Sequence, residues 1–425
     1  MNKEALTDVL IVGSGGREHA LAWKLRQSPR VGNLFFAPGN AGTENLGRNI
    51  DIGATDIDRL ARFAAENRVL TVVGPERPLA NGIRNQFDKD RLKLVGFTQE
   101  SALLESSKAW QAGFVERHNI PHPSTKVFRK VGDALQFFES VNPQNFVIKT
   151  DGLWDGKGVV LPKSIDEATD TVMDMMVRNV YGEAGRIIVV QEKLIGREVS
   201  IIGVTDGKTI RYFAPAVDHK TFYEGGPNTG GTGAYAPDPL MTPKLFSEIH
   251  ETIMQRAIDG MTEEGHPLNG GILFAGLMIT EDGPKVLEFN VRGGDPETQV
   301  QLMVMKNDLL PVVNASLDDS LSRRRIIQRK GAAVGVYLVS EGYPAKPVTG
   351  RVIHGLDKNF GPEVEIFHAG TAKDKVTGEI KTSGGRVLCV TAYGENVPDA
   401  SEKVYSILDN GKISFEGAIY RQGVG

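Results

Sequence analysis

Strand and helix signals alternate through the first hundred residues, and that rhythm leaves few folds open. Apolar runs at 9–12, 33–37 and 69–73 read as strands, and 18–26 and 57–67 read as helices. Successive strands joined through helices lie parallel, with right-handed crossovers, in one sheet. The turn Gly13-Ser-Gly15-Gly16-Arg17-Glu18-His19 follows the first strand and opens the first helix. It fails as a dinucleotide fingerprint. Glu18 stands where the third glycine is required, and the second strand ends in Ala37-Pro38-Gly39-Asn40 with no acid for a ribose. What survives is a glycine loop whose N–H groups suit a phosphate, with a merely tight strand–helix turn as the alternative. His19 reads as a packing or capping residue.

A chain of 425 residues has room for about three domains. Its 49 Lys and Arg stand against 53 Asp and Glu, a net charge of -4, so no global basic field draws it to nucleic acid or an anionic membrane. Any phosphate site must be local. The first residues lack the charged-then-apolar pattern of a signal peptide, and apolar windows such as 271–280 are too short to span a bilayer. A soluble cytoplasmic protein is the expectation. The single cysteine, Cys389, lies in an apolar run and reads as core.

After residue 96 the style changes. A helical region at 101–119 precedes a strand at 146–149 that carries Lys149, the loop Thr150-Asp-Gly-Leu-Trp-Asp-Gly156-Lys157-Gly158, and a strand at 159–161. This is a hairpin lid and not a P-loop, because no Ser or Thr follows Lys157 and a strand continues where a helix is required. Its glycine N–H groups and Lys157 suit a triphosphate, with Lys149 beneath. The strand at 187–190 runs into Gln191-Glu192-Lys193-Leu194, whose backbone edge suits an adenine, and Glu198 suits ribose hydroxyls. Asp218-His219-Lys220 precedes a glycine-rich nest, 225–235, containing Asn228 and Thr229. Finally Glu288-Phe-Asn290-Val-Arg292-Gly-Gly-Asp295-Pro-Glu297 leaves a strand at 286–289. Glu288 and Asn290 share a strand face and offer hard oxygens to Mg²⁺, while Arg292 and Asp295 sit in the exit loop where a phosphate and an amine could be held. Each motif alone also fits an ordinary turn.

Taken in order, Gly13 to His19, Pro38 to Gly42, Val73-Gly-Pro-Glu76, Glu105-Ser-Ser-Lys108, the Lys149 to Gly158 hairpin, Gly225 to Tyr235, Glu288 to Gln299, Thr382-Ser-Gly-Gly-Arg386 and Tyr420-Arg421 resemble the phosphoribosylamine–glycine ligase family. The resemblance implies an α/β and α+β multidomain chain with the ATP-grasp fold. It places a Rossmann-like preATP-grasp domain at 1–103, an ATP-grasp domain at 104–328 with a lid at about 124–194, and a small β-rich domain at 329–425. The basic stretch 322–330 reads as a solvated linker face. The implied reaction joins glycine to 5-phosphoribosylamine at the expense of ATP, by way of glycyl phosphate, in purine synthesis.

By the same resemblance Lys108, Lys149, Gly156 and Lys157 hold ATP phosphates, Gln191, Glu192 and Leu194 line the adenine, and Glu198 binds ribose. Glu288 and Asn290 hold Mg²⁺, with Mn²⁺ as the alternative ion. Arg292 steadies the acyl phosphate and Asp295 the glycine ammonium, the two joining Lys157 as the catalytic set. Gly15, Gly16, Lys220, Asn228 and Thr229 contact phosphoribosylamine. The implied partners are small molecules only, and monomer and dimer are both open. The chain departs from the family at Trp154 and Asp155 in the lid, at Gln191, Thr232 and Phe97, and at Gly293 in place of a Phe. A missing wall at Gly293 leaves the pocket roomier or filled by another residue, Trp154 being a candidate. Residues 276–280 offer no further acid for the metal. A related ATP-grasp ligase for another small amino acid or amine is the second reading, and a catalytically idle nucleotide-binding module the third.

Overall fold

The parallel sheet expected from the opening rhythm forms with the strand order Arg48–Asn49, Val31–Pro38, Thr7–Gly13, Leu70–Val73, Leu94–Val95. The structure is a computed structural model that describes residues 6–154, 158–223, 226 and 228–425. Val9, Leu10, Ile11 and Val12 are fully buried, as a strand covered on both faces requires. Helices Gly16–Arg26 and Ile57–Asn67 occupy the expected stretches. The region expected to be helical at 101–119 is two helices, Leu103–Ser106 and Lys108–Arg117. Ser107 separates them because it adopts an extended conformation and caps the second helix through its hydroxyl, which accepts from the Trp110 amide.

The lid is a four-stranded sheet, Thr125–Phe128, Ile188–Glu192, Phe146–Thr150, Val159–Val160, packed on helices Val131–Glu139 and Ile165–Met176. It has its own core, including Phe138, Ile148, Val172 and Val190. The expected hairpin pairs Ile148 with Val160 and Lys149 with Val159, antiparallel. Its tip, with Asp155, Gly156 and Lys157, lies outside the described residues. Below it an antiparallel sheet orders Ile210–Tyr212, Arg197–Asp206, Asn269–Thr280 and Gly283–Asn290. Gly276 pairs with Glu288 and Leu277 with Val286, so Leu287 is a bulge just before the proposed metal ligands.

A third sheet takes strands from both sides of position 329: Val217–His219, Gly233–Ala236, Ala332–Val339, Arg386–Gly394, Val364–His368. The glycine-rich segment is therefore anchored in the same sheet as the last hundred residues. Cys389 is buried in it, and burial pushes its thiol up to about 12. Among the described residues no helix is long and apolar enough to cross a membrane.

Two buried polar ties hold these layers together. His19 of the first helix accepts the His368 amide on Nδ1 at 2.8 Å, and a Cβ at Gly42 would collide with both rings. Burial, then the neighbouring His368, pushes His19 down to about 3, and burial pushes His368 down to about 4. In the second tie Arg292 Nη2 meets Glu105 at 2.8 Å and its Nε meets Glu76 at 3.3 Å, joining the exit loop of the last central strand to helices Leu103–Ser106 and Glu76–Ala80. Burial pushes Glu105 up to about 7, opposed by Arg292 and reinforced by Glu76.

Both histidines bind protons less readily folded than unfolded, so their contribution to stability is present above pH 6.5 and is lost as pH falls toward 4 and 3. Each ring costs about 1.4 kcal/mol per pH unit in that window. Denaturant unfolding at pH 7 and pH 5 should show the loss, and His368→Gln should flatten it; an unchanged slope in the variant would remove the pair from the account. Arg292→Met should cost roughly 3–5 kcal/mol by stranding two buried carboxylates, and adding Glu105→Gln should recover part of it. A double variant no more stable than the single one would contradict that charge balance.

Candidate active site

Between the lid and the central antiparallel sheet lies a cleft of about 610 Å³. Most residues singled out in the sequence line it: Lys108, Lys149, Gln191, Glu192, Leu194, Glu198, Lys220, Asn228, Thr229, Glu288, Asn290, Arg292 and Asp295. They come from segments nearly two hundred residues apart. One wall is apolar, with Val147, Phe274, Met278 and Leu287, and suits a flat ring. Gln191 is buried beside it and its amide reaches the Thr125 hydroxyl at 3.3 Å. Two backbone amides expected to be open are not: Glu192 donates to the Ser124 carbonyl at 2.8 Å and Lys193 to that of Asn145 at 2.7 Å.

Next to this wall the cleft is cationic. Lys149, buried, donates to the Leu287 carbonyl at 3.3 Å; burial pushes it down to about 8, with Lys108 and Lys220 adding to the shift and Glu288 opposing it. Lys108 stands at the start of its helix and donates to the Gly152 carbonyl at 3.0 Å. Asp151 ties the same hairpin base down by accepting from the Ser107 hydroxyl and the Ala109 amide, each at 3.0 Å. Lys220 lies 3.1 Å from Glu198 and 3.9 Å from Glu288. Burial alone would lower Lys220, but Asp218, Glu198 and Glu288 hold it well above the ordinary lysine range.

Glu288 and Asn290 both line the cleft, as their shared strand face requires. Burial would raise the Glu288 carboxyl, but Lys220, Lys149 and Lys108 outweigh it and hold it below the usual range, so it is an anion at neutral pH. Asn290 Oδ1 accepts from Arg292 at 2.9 Å and keeps a second lone pair. The position opposite Glu288 is Gly276, and among the described residues no group of three or more His, Cys, Asp or Glu could hold a metal ion. Two hard oxygens fit a divalent ion whose remaining ligands are phosphates and water.

Three expectations are altered by the geometry. Asp295, expected to face an ammonium, is already engaged: Oδ1 accepts from Tyr337 and Gln299, each at 2.7 Å, and Oδ2 from Arg386 at 3.1 Å. Gly15 and Gly16 do not line the cleft. The Gly15 amide is taken by the Glu18 carboxylate at 2.5 Å, and a Cβ at Gly16 would strike the Tyr337 hydroxyl, so the glycines serve close packing while Arg17 reaches the cleft. The space beside Gly293 is filled by Thr298 and Arg17, not by Trp154, which packs its ring edge-on against Tyr181 in the lid.

Several lining residues received no role from the sequence: Arg17, Glu76, Glu105, Asp218, Glu297 and Arg386. Each lies within or beside a motif that was recognised. Their charge was visible, but which of them turns inward was not.

Comparison with known proteins agrees with this arrangement. Family models described as phosphoribosylglycinamide synthetase match as the N domain over residues 7–105, the ATP-grasp (A) domain over 106–298 and the C domain over 333–425. A trifunctional purine biosynthetic protein adenosine-3 of Gallus gallus is 46% identical over 98% of this chain, which spans 42% of that protein. The human counterpart is likewise spanned over 41% of its length. A phosphoribosylamine–glycine ligase of Pseudomonas aeruginosa is 43% identical, with 98% of this chain and 97% of that one covered. The crystal structure of a phosphoribosylamine–glycine ligase from Thermotoga maritima superposes with a TM-score of 0.83 at 29% identity, over 99% of this chain and 100% of that one. A biotin carboxylase domain from Hydrogenobacter thermophilus, 12% identical with a TM-score of 0.74 over 98% of this chain and 92% of that one, shares the fold alone. With all three family models matching in order along one chain, and with their residues meeting in one cleft, this chain belongs to the phosphoribosylglycinamide synthetase family.

Proposed function

We propose that the chain is a phosphoribosylamine–glycine ligase: ATP, glycine and 5-phosphoribosylamine give ADP, phosphate and glycinamide ribonucleotide through glycyl phosphate, in purine synthesis. One observation carries the reading. Three lysines, a carboxylate–amide pair and a carboxylate-held arginine share a single cleft with an apolar slot, in a member of this family.

A carboxylate is a poor acyl donor, so its oxygen must first attack the γ-phosphorus of ATP, with ADP leaving. The amine then attacks the acyl carbon, the C–N bond forms, a proton is lost from nitrogen and phosphate departs. Both transition states gather negative charge on phosphoryl and carbonyl oxygens. Lys108 and Lys149 flank the polyphosphate in this reading; Gly156 and Lys157, expected to join them, lie outside the described residues. A polyanion beside Lys149 also offsets the burial that drains its charge. Gln191 and Leu194 border the purine, and Glu198 the ribose.

Arg292 faces the acyl phosphate in a fixed orientation. Glu76, Glu105, Asn290 and its neighbour's carbonyl, Gly293, hold the guanidinium from several sides. Lys220 and Thr229 are joined, since the Thr229 amide and hydroxyl both donate to the Lys220 carbonyl at 2.7 and 2.9 Å, which sets Asn228 and Thr229 at the acceptor end. Glu288 and Asn290 would hold a divalent cation, Mg²⁺ or Mn²⁺, which would neutralise the phosphoryl oxygens and align them.

Phosphate release should require ATP, glycine and phosphoribosylamine together. A panel of other amino acids should be turned over far more slowly; one used as fast as glycine would favour a ligase of different specificity. Glu288→Gln should raise the Mg²⁺ concentration needed for half-maximal rate roughly tenfold or more. It should also weaken nucleotide binding measured calorimetrically with Mg²⁺ but not with chelator, and an unchanged titration would move the metal elsewhere.

A further inference from the structure

Arg386 has no part in the reaction as drawn above, on which this inference rests. It begins strand Arg386–Gly394 of the third sheet, ninety-one residues beyond Asp295, yet its guanidinium ends in the cleft. Nη1 donates to the Gly230 carbonyl at 2.5 Å and to the Asp295 carbonyl at 2.6 Å, and Nη2 donates to Asp295 Oδ2 at 3.1 Å. The Tyr337 ring lies 5.0 Å from it, and the Tyr337 hydroxyl holds the other Asp295 oxygen.

The glycine-rich loop and the exit turn of the metal-binding strand thus share one nitrogen. Gly230 is held from its other side as well, since its amide donates to the Tyr343 hydroxyl at 3.0 Å. Close approach is built in: a Cβ at Gly385 would meet the Tyr343 ring at 2.3 Å, and one at Gly231 would meet Pro296 at 2.6 Å. Both anchors of Gly230 come from the last hundred residues, whereas Lys108, Lys149, Glu288 and Arg292 all lie before them. The planar guanidinium reaches two carbonyls and a carboxylate at once, a geometry that a lysine ammonium cannot reproduce in full.

We propose that Arg386 is a positioning residue for the amine acceptor: by fixing Gly230 against Asp295 it sets Asn228 and Thr229 at the acyl end of the cleft. Capture of the amine then depends on the third sheet, and activation of the carboxylate does not.

The two half-reactions can be read separately. With glycine and no amine, reversible formation of glycyl phosphate scrambles an oxygen label between the bridging and non-bridging β-phosphate positions of ATP. Arg386→Gln should keep this exchange within about threefold of the unsubstituted enzyme while KM for phosphoribosylamine rises roughly tenfold or more, the scale of an ångström-sized misplacement. Arg386→Lys should recover part of the loss, and Tyr343→Phe, which removes only the hydroxyl on the Gly230 amide, should shift KM in the same direction by less. Exchange and amine capture falling together, or an unmoved KM in both variants, would overturn the proposal. Absence of glycine-dependent exchange in the unsubstituted enzyme would instead overturn the ligase reading.

Discussion

A guanidinium cannot be taken out of water alone, and the burial of Arg292 organises the centre of this molecule. Its charge is matched by Glu76 and Glu105, brought from helices Glu76–Ala80 and Leu103–Ser106. Two carboxylates facing one cation repel each other, which is part of why Glu105 is pushed up to about 7 after burial has raised it. The arrangement is costly to break at its centre, because loss of the guanidinium leaves both carboxylates without that counter-charge. The same contacts fix the side chain's direction, and Asn290 is oriented by the hydrogen bond it receives.

Around this centre the cleft carries charge of both signs in advance of any ligand. Lys149 is buried and Lys220 half-buried, and the two are driven apart: burial and like charge take Lys149 down to about 8, whereas three carboxylates hold Lys220 well above the ordinary lysine range. In the proposed reaction this cluster would exchange internal ion pairs for pairs with the polyphosphate, with little reorganisation. Small residues complete the fit. At Gly276 a larger side chain would press on Glu288 and Phe274, and at Gly293 on Thr298 and Arg17.

The third sheet changes the meaning of the domain order along the chain. Because Gly233–Ala236 pairs with Ala332–Val339, the glycine-rich loop begins and ends on strands that belong to the same sheet as Arg386. A loop so rich in glycine would otherwise have many conformations of similar energy. At Gly230 one is held, its amide donating to the Tyr343 hydroxyl and its carbonyl accepting from Arg386.

Local patterns in the sequence determined a good deal. The alternation over the first hundred residues specified the parallel sheet, the strand face shared by Glu288 and Asn290 followed from the two-residue repeat, and the series of motifs pointed to the family. Such features depend on neighbours a few residues away. Only the tertiary structure decided that Glu18 fills the glycine loop, that Arg17 and Thr298 occupy the space beside Gly293, and that Asp295 is held at the cleft wall by Tyr337, Gln299 and Arg386. Glu18, Gln299 and Thr298 act on near neighbours, but Arg17 reaches Gly293, and Tyr337 and Arg386 reach Asp295, across tens to hundreds of residues. In both cases packing and the pairing of buried charge, not the local pattern, select which side chain turns inward.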